Sequence, residues 1–178
     1  MIPKPEHSIL RNHWELDDET IFLNHGSFGA CPTFIIEEQI HWIRELEKEP
    51  VRFFEREYPE LIAGVRETLA DFLNCEADDL ALVTNATSGI NTVLRSLRFE
   101  KGDELLVPDH AYQACRNALD YVSEKWGANT TVCQLPFPVS HSDEIIDCIL
   151  SAITPNTKLA MLDFITSPTG YVLPIKRL

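Results

Sequence analysis

Residues 81–110 have the sequence ALVTNATSGINTVLRSLRFEKGDELLVPDH, and this stretch decides the fold. It begins with a short apolar run, Ala81 to Thr84, which has the length of a buried strand. A helical pattern follows from Thr87 to Leu97, and Glu104 to Val107 form a second apolar run that Pro108 closes. A strand, a helix and another strand in this order predict an α/β fold with a parallel sheet.

The alternation of strands and helices continues after this stretch, at intervals of about 25 residues. Helices are predicted at residues 112–126 and 142–153, with Ser142 as the N-cap of the second. Further strands are predicted at residues 130–135 and 159–162. We therefore expect a mostly parallel sheet with flanking helices on both of its faces.

The chain before residue 76 lacks this alternation. After an irregular arm at residues 1–20, amphipathic helices are predicted from Thr33 and from about Pro59. The expected organisation is an N-terminal arm with helices at residues 1–75, followed by the first part of a large α/β domain at residues 76–178.

The charge balance excludes some classes of protein. Asp and Glu number 28 against 15 Lys and Arg, which gives a formal net charge of −13. Because nucleic acids and anionic lipid surfaces repel an acidic chain, we expect non-specific binding to neither of them. No run of apolar residues approaches the roughly 18 that a membrane span needs, so no membrane partner is expected.

Five cysteines, at positions 31, 75, 115, 133 and 148, show neither a CxxC motif nor zinc-type spacing. Their odd number and wide gaps favour reduced thiols in a cytoplasmic protein. The alternative is a catalytic thiol. Cys115 is the candidate for that role because it lies near the start of a predicted helix, where a thiolate is stabilised.

Ligands of parallel sheets bind at the carboxyl ends of the strands, where polar residues follow three of the predicted strands. Between Thr84 and Gly89 a turn of small residues leads into a helix whose first amides lack internal partners, which suits a phosphate group. Thr87 and Ser88 add hydroxyl donors, while Ala86 and Gly89 leave room for close approach. A plain N-cap role for Thr87 is the alternative, and the local pattern favours neither.

The other two strand ends carry an aromatic residue and a polar turn. Tyr112 is suited to cover a flat heteroaromatic ligand or, alternatively, to pack against the sheet edge. His110 by itself is typical of a partly exposed loop histidine. The last strand is followed by side chains that either bind a polar ring substituent or only form a turn, namely Asp163, Thr166, Ser167 and Thr169. Together the three ends predict a site for a flat, phosphorylated ligand.

Three motifs, taken in order, resemble the class V aminotransferase family. They are LNHGSFGACP at residues 23–32, NATSGIN at 85–91 and DFITSPTG at 163–170, and Pro174-Ile175 follows them. The branch that they resemble is the isopenicillin N epimerase-like group, which is similar to cysteine desulfurases. The resemblance covers roughly residues 20–178. It implies a fold type I enzyme that uses pyridoxal 5′-phosphate (PLP) and acts on a small amino-acid substrate.

The resemblance also implies which residues bind the cofactor. Ala86, Thr87 and Ser88 are expected to hold its phosphate, and Tyr112 to stack on its pyridine ring. Ser167 is expected near the hydroxyl group of that ring.

Substrate binding and assembly are implied in the same way. The loop of Asn24, His25 and Gly26 is expected near the substrate carboxylate. Arg52 is a weaker candidate for the same role or for a subunit contact. Since members of the family are typically homodimers, a homodimer of the full-length enzyme is expected.

PLP chemistry needs a lysine that forms the Schiff base and a carboxylate that holds the ring nitrogen. By resemblance, the carboxylate is expected on a strand that follows residue 178 and the lysine further along, so that neither is expected within these residues. The lysines of this sequence read as surface residues, at positions 4, 48, 101, 125, 158 and 176. By resemblance the chain is expected to be the N-terminal portion of an enzyme about twice as long, with no catalysis by itself. The alternative is a non-catalytic α/β module that binds a phosphorylated ligand.

Overall fold

The computed structural model describes residues 8–178, which form two compact units that divide between Ala81 and Leu82. The first unit is helical and the second is an α/β unit. The first seven residues of the predicted N-terminal arm lie outside the described part of the chain.

The described part of the first unit consists of helices, with a non-helical segment at residues 14–32 and short breaks after that. A 3-10 helix spans Ile9–His13, α1 spans Thr33–Lys48 and α2 spans Pro50–Arg52. A π-helical turn, Phe53–Glu57, connects α2 to α3, Tyr58–Leu73, and a 3-10 helix follows at Ala77–Asp79. The predicted helices from Thr33 and from about Pro59 are therefore both confirmed.

The breaks between these helices follow from single residues. Pro50 disfavours a helical conformation in the residue before it, and Glu49 is accordingly extended, with φ −160° and ψ 85°. The Glu49 carboxylate then accepts a hydrogen bond from the Arg52 amide at 3.1 Å and caps the next helix. At the other end of this region, Asn74 ends α3 in the left-handed conformation, with φ 54°.

The second unit is a three-stranded parallel sheet with the strand order β2-β1-β3. Its strands are β1 at Glu104–Pro108, β2 at Asn129–Cys133 and β3 at Thr157–Ala160. Its helices are α4 at Ala86–Ser96, α5 at Gln113–Trp126 and α6 at Ser142–Ser151, and a 3-10 helix spans Ile175–Arg177.

The central strand β1 has helices on both of its faces. Leu105 and Val107 belong to one buried cluster, which includes Leu119 of α5. Leu106, whose side chain points to the opposite face, belongs to a second cluster, which includes Ile149 of α6. All three β1 side chains have a relative exposure of 0%, so the expected α/β fold with flanking helices is confirmed.

The strand predicted at residues 81–84 is not present. These residues belong to no strand ladder among residues 8–178, and Leu82 and Val83 are 49% and 53% exposed. A strand forms only where a neighbouring strand offers backbone donors and acceptors. An apolar run of this length meets the local condition for a strand but does not supply that neighbour.

The predicted N-cap of α6 is also wrong. His141 occupies the N-cap position and Ser142 is the first helical residue. The Ser142 hydroxyl accepts a hydrogen bond from Arg177 at 3.0 Å, and the same guanidinium donates to Asp143 at 2.6 Å. The start of α6 is therefore tied to the last 3-10 helix instead of being capped by its own serine.

Candidate functional site

The turn before α4 is closed by Asn85. Its side-chain oxygen accepts a hydrogen bond from the Ser88 amide at 2.9 Å, and its carbonyl accepts from the Gly89 amide at 3.1 Å. Asn85 is therefore the N-cap of α4, and the alternative that Thr87 serves as a plain N-cap is wrong. Because Asn85 caps the helix, the Thr87 hydroxyl is not needed as an N-cap.

Two backbone amides remain without a protein acceptor at this helix end. Ala86 and Thr87 occupy the first two helical positions, and none of the hydrogen bonds found within residues 8–178 uses their amides. Ala86 is exposed, while Thr87 and Ser88 are half-buried. Unpaired amides at the positive end of a helix dipole favour an anion, so this arrangement fits a phosphate group.

Gly89 lies beside the segment before α4. A Cβ atom at this position would lie 3.5 Å from Cγ2 of Val83, which is ordinary van der Waals contact. That Gly89 leaves room for a ligand stays a prediction.

Three segments of the second unit meet beside Thr87. The Tyr112 amide, at the N-cap of α5, donates a hydrogen bond to Asp163 Oδ2 at 3.2 Å. Cys115, in the first turn of α5, lies close enough to the Thr87 hydroxyl and the Asp163 carboxylate for both to act on its pKa. The starts of α4 and α5 and the segment after β3 thus converge, as the sequence predicted for its strand ends.

The Cys115 thiol is not suited to nucleophilic catalysis. Burial raises its pKa, a hydrogen bond from Thr87 opposes this effect, and the negative charge of Asp163 raises the pKa further. The side chain is 7% exposed and belongs to the hydrophobic core. Since the thiolate is the nucleophile, these surroundings argue against the reactive-thiol alternative.

Tyr112 stands at the N-cap of α5, and the hydrogen bond from its amide to Asp163 holds its backbone there. The residue is 48% exposed, so part of its side chain is accessible to a ligand. An accessible aromatic ring is suited to cover a flat heteroaromatic ligand. Stacking of Tyr112 on a ligand and packing of its ring against the sheet edge both stay predictions.

The polar turn after β3 is a short hairpin. The Thr166 amide donates to the Tyr171 carbonyl at 2.9 Å and the Gly170 amide donates to the Thr166 carbonyl at 2.9 Å. Gly170 has φ +67°, a conformation that favours glycine. Ser167 lies exposed in this turn. The turn itself is confirmed, and a contact of Ser167 with a ring hydroxyl stays a prediction.

The sequence did not single out His110 as a site residue. It is half-buried, its Nδ1 lies 3.1 Å from Thr169 Oγ1, and its ring stacks on Tyr171. Its neighbour Asp109 accepts a hydrogen bond from the Leu135 amide at 2.9 Å and so ties the ends of β1 and β2 together. A histidine two residues after the end of a buried strand was the available signal, but its partner Thr169 lies 59 residues away in the chain.

The substrate-loop candidates belong to the first unit. The His25 ring lies between those of Trp14 and Phe22, at centroid distances of 5.9 Å and 4.6 Å. The Phe28 amide donates to the Asn24 carbonyl at 3.0 Å, and Gly26 is exposed in the same loop. Roles of Asn24, His25 and Gly26 in substrate binding stay predictions.

Arg52 also belongs to the first unit. Its guanidinium Nε lies 2.8 Å from a Glu57 carboxylate oxygen and 3.8 Å from one of Glu49. The residue is thus paired within its own helical region, and its role toward a substrate or a second subunit stays a prediction.

The five described lysines all lie on the surface. The two that adjoin strands of the sheet, Lys101 and Lys158, lie away from the carboxyl ends of those strands. Lys101 precedes β1 and its stem contacts the position of Gly127, while Lys158 is the second residue of β3. Lys125 lies over the Trp126 ring and Lys48 pairs with Glu45. Lys4 lies outside the described residues.

Two features are absent from the described residues. No group of three or more His, Cys, Asp or Glu within residues 8–178 is arranged to hold a metal ion. Within the same residues, no helix is long and apolar enough to cross a membrane.

The family model for class V aminotransferases matches residues 36–178, so the chain belongs to this family. A probable chloroplastic L-cysteine desulfhydrase of Arabidopsis thaliana is 33% identical over 176 residues, which cover 91% of this chain and 37% of that protein. An isopenicillin N epimerase of Streptomyces clavuligerus is 33% identical over 168 residues, covering 94% and 42%. The resemblance seen in the motifs is therefore confirmed.

Solved structures show the same fold. A variant of C-DES with glycine covalently linked to its PLP cofactor matches with a TM-score of 0.80 at 21% identity, covering 96% of this chain and 44% of that chain. The cysteine desulfurase CsdA from Escherichia coli matches with a TM-score of 0.76 at 21% identity, covering 94% and 43%. The expected fold type I is confirmed, and the chain spans less than half the length of these relatives.

Proposed function

We propose that this chain forms the phosphate- and ring-binding part of a PLP-dependent enzyme that acts on a small amino acid. The observation that carries the proposal is the pair of unpaired amides of Ala86 and Thr87 at the start of α4. The half-exposed Tyr112, whose backbone amide donates to Asp163, supports it. Membership in the class V aminotransferase family supports PLP as the ligand over other phosphorylated compounds.

Each residue of the site has a distinct task in this proposal. The amides of Ala86 and Thr87, with the hydroxyls of Thr87 and Ser88, bind the cofactor phosphate. Tyr112 covers one face of the pyridine ring, and Ser167 donates toward the ring hydroxyl. Asp163 positions the start of α5 by accepting the Tyr112 amide hydrogen. Bound PLP supplies an electron-withdrawing ring that stabilises negative charge at the substrate Cα.

The names of the relatives support a choice among reaction classes. The notable ones are L-cysteine desulfhydrases and isopenicillin N epimerases. Cleavage of a C–S bond and epimerisation at Cα are therefore better supported than transamination. The alternative of a non-catalytic binding module is less well supported, because the relatives that match across most of this chain have the names of enzymes.

No residue of this chain is proposed as the catalytic lysine or as the carboxylate that holds the ring nitrogen. The described lysines are exposed. Lys48 and Lys125 are engaged elsewhere, Lys101 and Lys158 lie near the amino ends of strands, and Lys176 lies in the last 3-10 helix. We accordingly expect the 178-residue chain to bind the cofactor without turning over substrate.

A homodimer and a cytoplasmic location complete the proposal. Apolar side chains exposed on α1 and α3, such as Ile43 at 62% and Phe72 at 83%, support burial against another polypeptide surface. Free, exposed Cys31 and Cys75 support a reducing compartment. Sedimentation of the enzyme and cell fractionation test these two points, and the chloroplastic relative makes an organelle the competing outcome.

Calorimetric titration with pyridoxamine 5′-phosphate tests the ligand site. This form of the cofactor lacks an aldehyde and therefore does not react with surface lysines. Pyridoxamine, which lacks only the phosphate, is the matched control ligand. We expect saturable binding of the phosphorylated compound and at least tenfold weaker binding of the control. Equal affinity for both ligands, or no binding of either, would contradict the proposal.

A further inference from the structure

Two thiols that the proposed function does not use lie together between β2 and α6. Cys133 is the last residue of β2 and is 4% exposed, within the hydrophobic cluster that includes Leu106. Cys148, in α6, is half-buried and packs against the same cluster. Because both cysteines are free, the cluster holds a pair of reduced thiols on two elements that are adjacent in space.

The Cys148 thiol reaches the backbone beside Cys133. Its Sγ donates a hydrogen bond to the carbonyl of Gln134, the residue that follows Cys133, at 3.0 Å. The two thiols are also close enough for a hydrogen bond between them to act on the pKa of each. A disulfide has an S–S length of about 2 Å, so the two sulfurs have to approach by a small movement within the cluster.

The present hydrogen bond is not an obstacle to that movement. Gln134 is exposed, so water replaces the Cys148 thiol as the donor to its carbonyl. Each of the two sulfurs loses its hydrogen in a disulfide, so no S–H donor remains without an acceptor. The linked pair is uncharged and apolar, and it therefore suits the cluster that already encloses Cys133.

We propose that Cys133 and Cys148 form a redox-sensitive latch, in which oxidation by a peroxide joins them in a disulfide that ties α6 to the end of β2. The more accessible Cys148 sulfur first attacks the peroxide, so that an S–O bond forms, the O–O bond breaks and one water leaves. The Cys133 sulfur then attacks the Cys148 sulfur, the S–O bond breaks, and a second water leaves with the Cys133 proton. Two thiols and one hydrogen peroxide thus give one disulfide and two waters.

The surroundings of the two thiols make this latch slow to close. Burial raises the pKa of Cys133 to about 12, and burial is also the main cause that raises the pKa of Cys148. The Asp109 carboxylate, which accepts the Leu135 amide, acts in the same direction on both. Because the thiolate is the reactive form, the pair stays reduced during brief exposure to a peroxide and closes under sustained oxidation.

Peptide mapping of the 178-residue chain after prolonged treatment with hydrogen peroxide tests the latch. Trypsin cleaves after Lys125 and Lys158, and residues 126–158 contain Cys133 and Cys148 but no other cysteine. We expect this peptide to lose two hydrogen atoms in mass and to regain them on reduction. After a second cleavage at Glu144 its two pieces should remain linked until a reductant is added.

Thermal melts test whether the link acts as a latch. The double variant Cys31→Ser/Cys75→Ser is the starting protein, because these exposed thiols would otherwise link separate chains. The link constrains the unfolded chain, so the oxidised form should melt at least a few degrees above the reduced form. An unchanged or lower midpoint in a sample whose peptide carries the link would overturn the role as a latch.

Cys148→Ser is the matched variant, because serine keeps a donor for the Gln134 carbonyl but forms no disulfide. It should leave Cys133 reduced, whereas Cys133→Ala should let Cys148 accumulate sulfinic acid. A chain with both native thiols in which Cys148 gains oxygen atoms without a link to Cys133, or in which both stay free, overturns the inference even if the variants fail to fold. The latch does not rest on the proposed function, which the titration with pyridoxamine 5′-phosphate decides separately.

Discussion

Replacement of Ala86 by proline tests the proposed phosphate site at the start of α4, because it removes a single N–H donor from that site. Ala86 is the first residue of α4, so its amide has no partner within the helix, and Asn85 before it is extended, with φ −165° and ψ 170°. Proline is tolerated at this position, and an extended residue is what it requires before it. Ala86→Pro therefore removes one N–H donor and leaves the helix in place.

The expected loss follows from the type of hydrogen bond that is removed. A hydrogen bond to a charged group contributes about 1.5–3 kcal/mol. With about 1.4 kcal/mol for each tenfold change, the affinity for pyridoxamine 5′-phosphate should fall roughly 10- to 100-fold. The affinity for pyridoxamine and the thermal midpoint should stay close to those of the wild type, because neither depends on this amide.

Calorimetric titration of both ligands and a thermal melt measure these quantities. Ala86→Val is the matched control variant, since valine adds a side chain of similar bulk and keeps the amide. It should bind the phosphorylated ligand as the wild type does. Unchanged affinity in Ala86→Pro would refute the role of the amide. An equal loss in Ala86→Val would assign the effect to bulk.

Substitutions at four other residues give three independent tests. Asn85→Ala should lower the free energy of unfolding by about 1 kcal/mol through loss of the N-cap. Thr87→Ala should weaken binding of the phosphorylated ligand about tenfold, with little change in the thermal melt. The opposite pattern would make Thr87 the N-cap. Tyr112→Phe should bind the ligand nearly as the wild type does and Tyr112→Ala should raise its off-rate in stopped-flow measurements, so that equal small effects would exclude ring stacking. Burial raises the pKa of Cys133 to about 12, so the unfolded chain loses this proton first and stability should fall as pH rises above the pKa of a free thiol. Cys133→Ala should reduce that alkaline loss in denaturant titrations, and an unchanged slope would contradict the assignment.

The local pattern was a sound guide wherever a segment's own residues decide its conformation. The helices α1, α3, α4 and α5 lie where apolar residues at helical spacing predict them, because this periodicity is a local property of each segment. The buried run of β1 was found for the same reason. The sequence analysis left open whether Thr87 caps α4 and did not propose Asn85, because both residue types cap helices well and only the backbone geometry distinguishes them.

The sequence pointed to individual residues of the candidate site but not to the hydrogen bonds that join them. The cofactor-binding roles of residues 86–88 and of Tyr112 were predicted from a family resemblance that short local motifs carry. The hydrogen bond between Tyr112 and Asp163 joins residues 51 apart, and the one between His110 and Thr169 joins residues 59 apart. Such pairings depend on the register of β1 and β3, which a single sequence does not reveal.

The sequence alone determined the α/β class, the order of its helices and the family, because apolar periodicity and short motifs are local properties of a chain. Tertiary structure alone decided that residues 81–84 are not a strand, since a strand needs a partner. It alone placed Gly89 against Val83 and His110 against Thr169. The physical reason is that hydrogen bonds and packing between distant segments exist only after the sheet has brought those segments together.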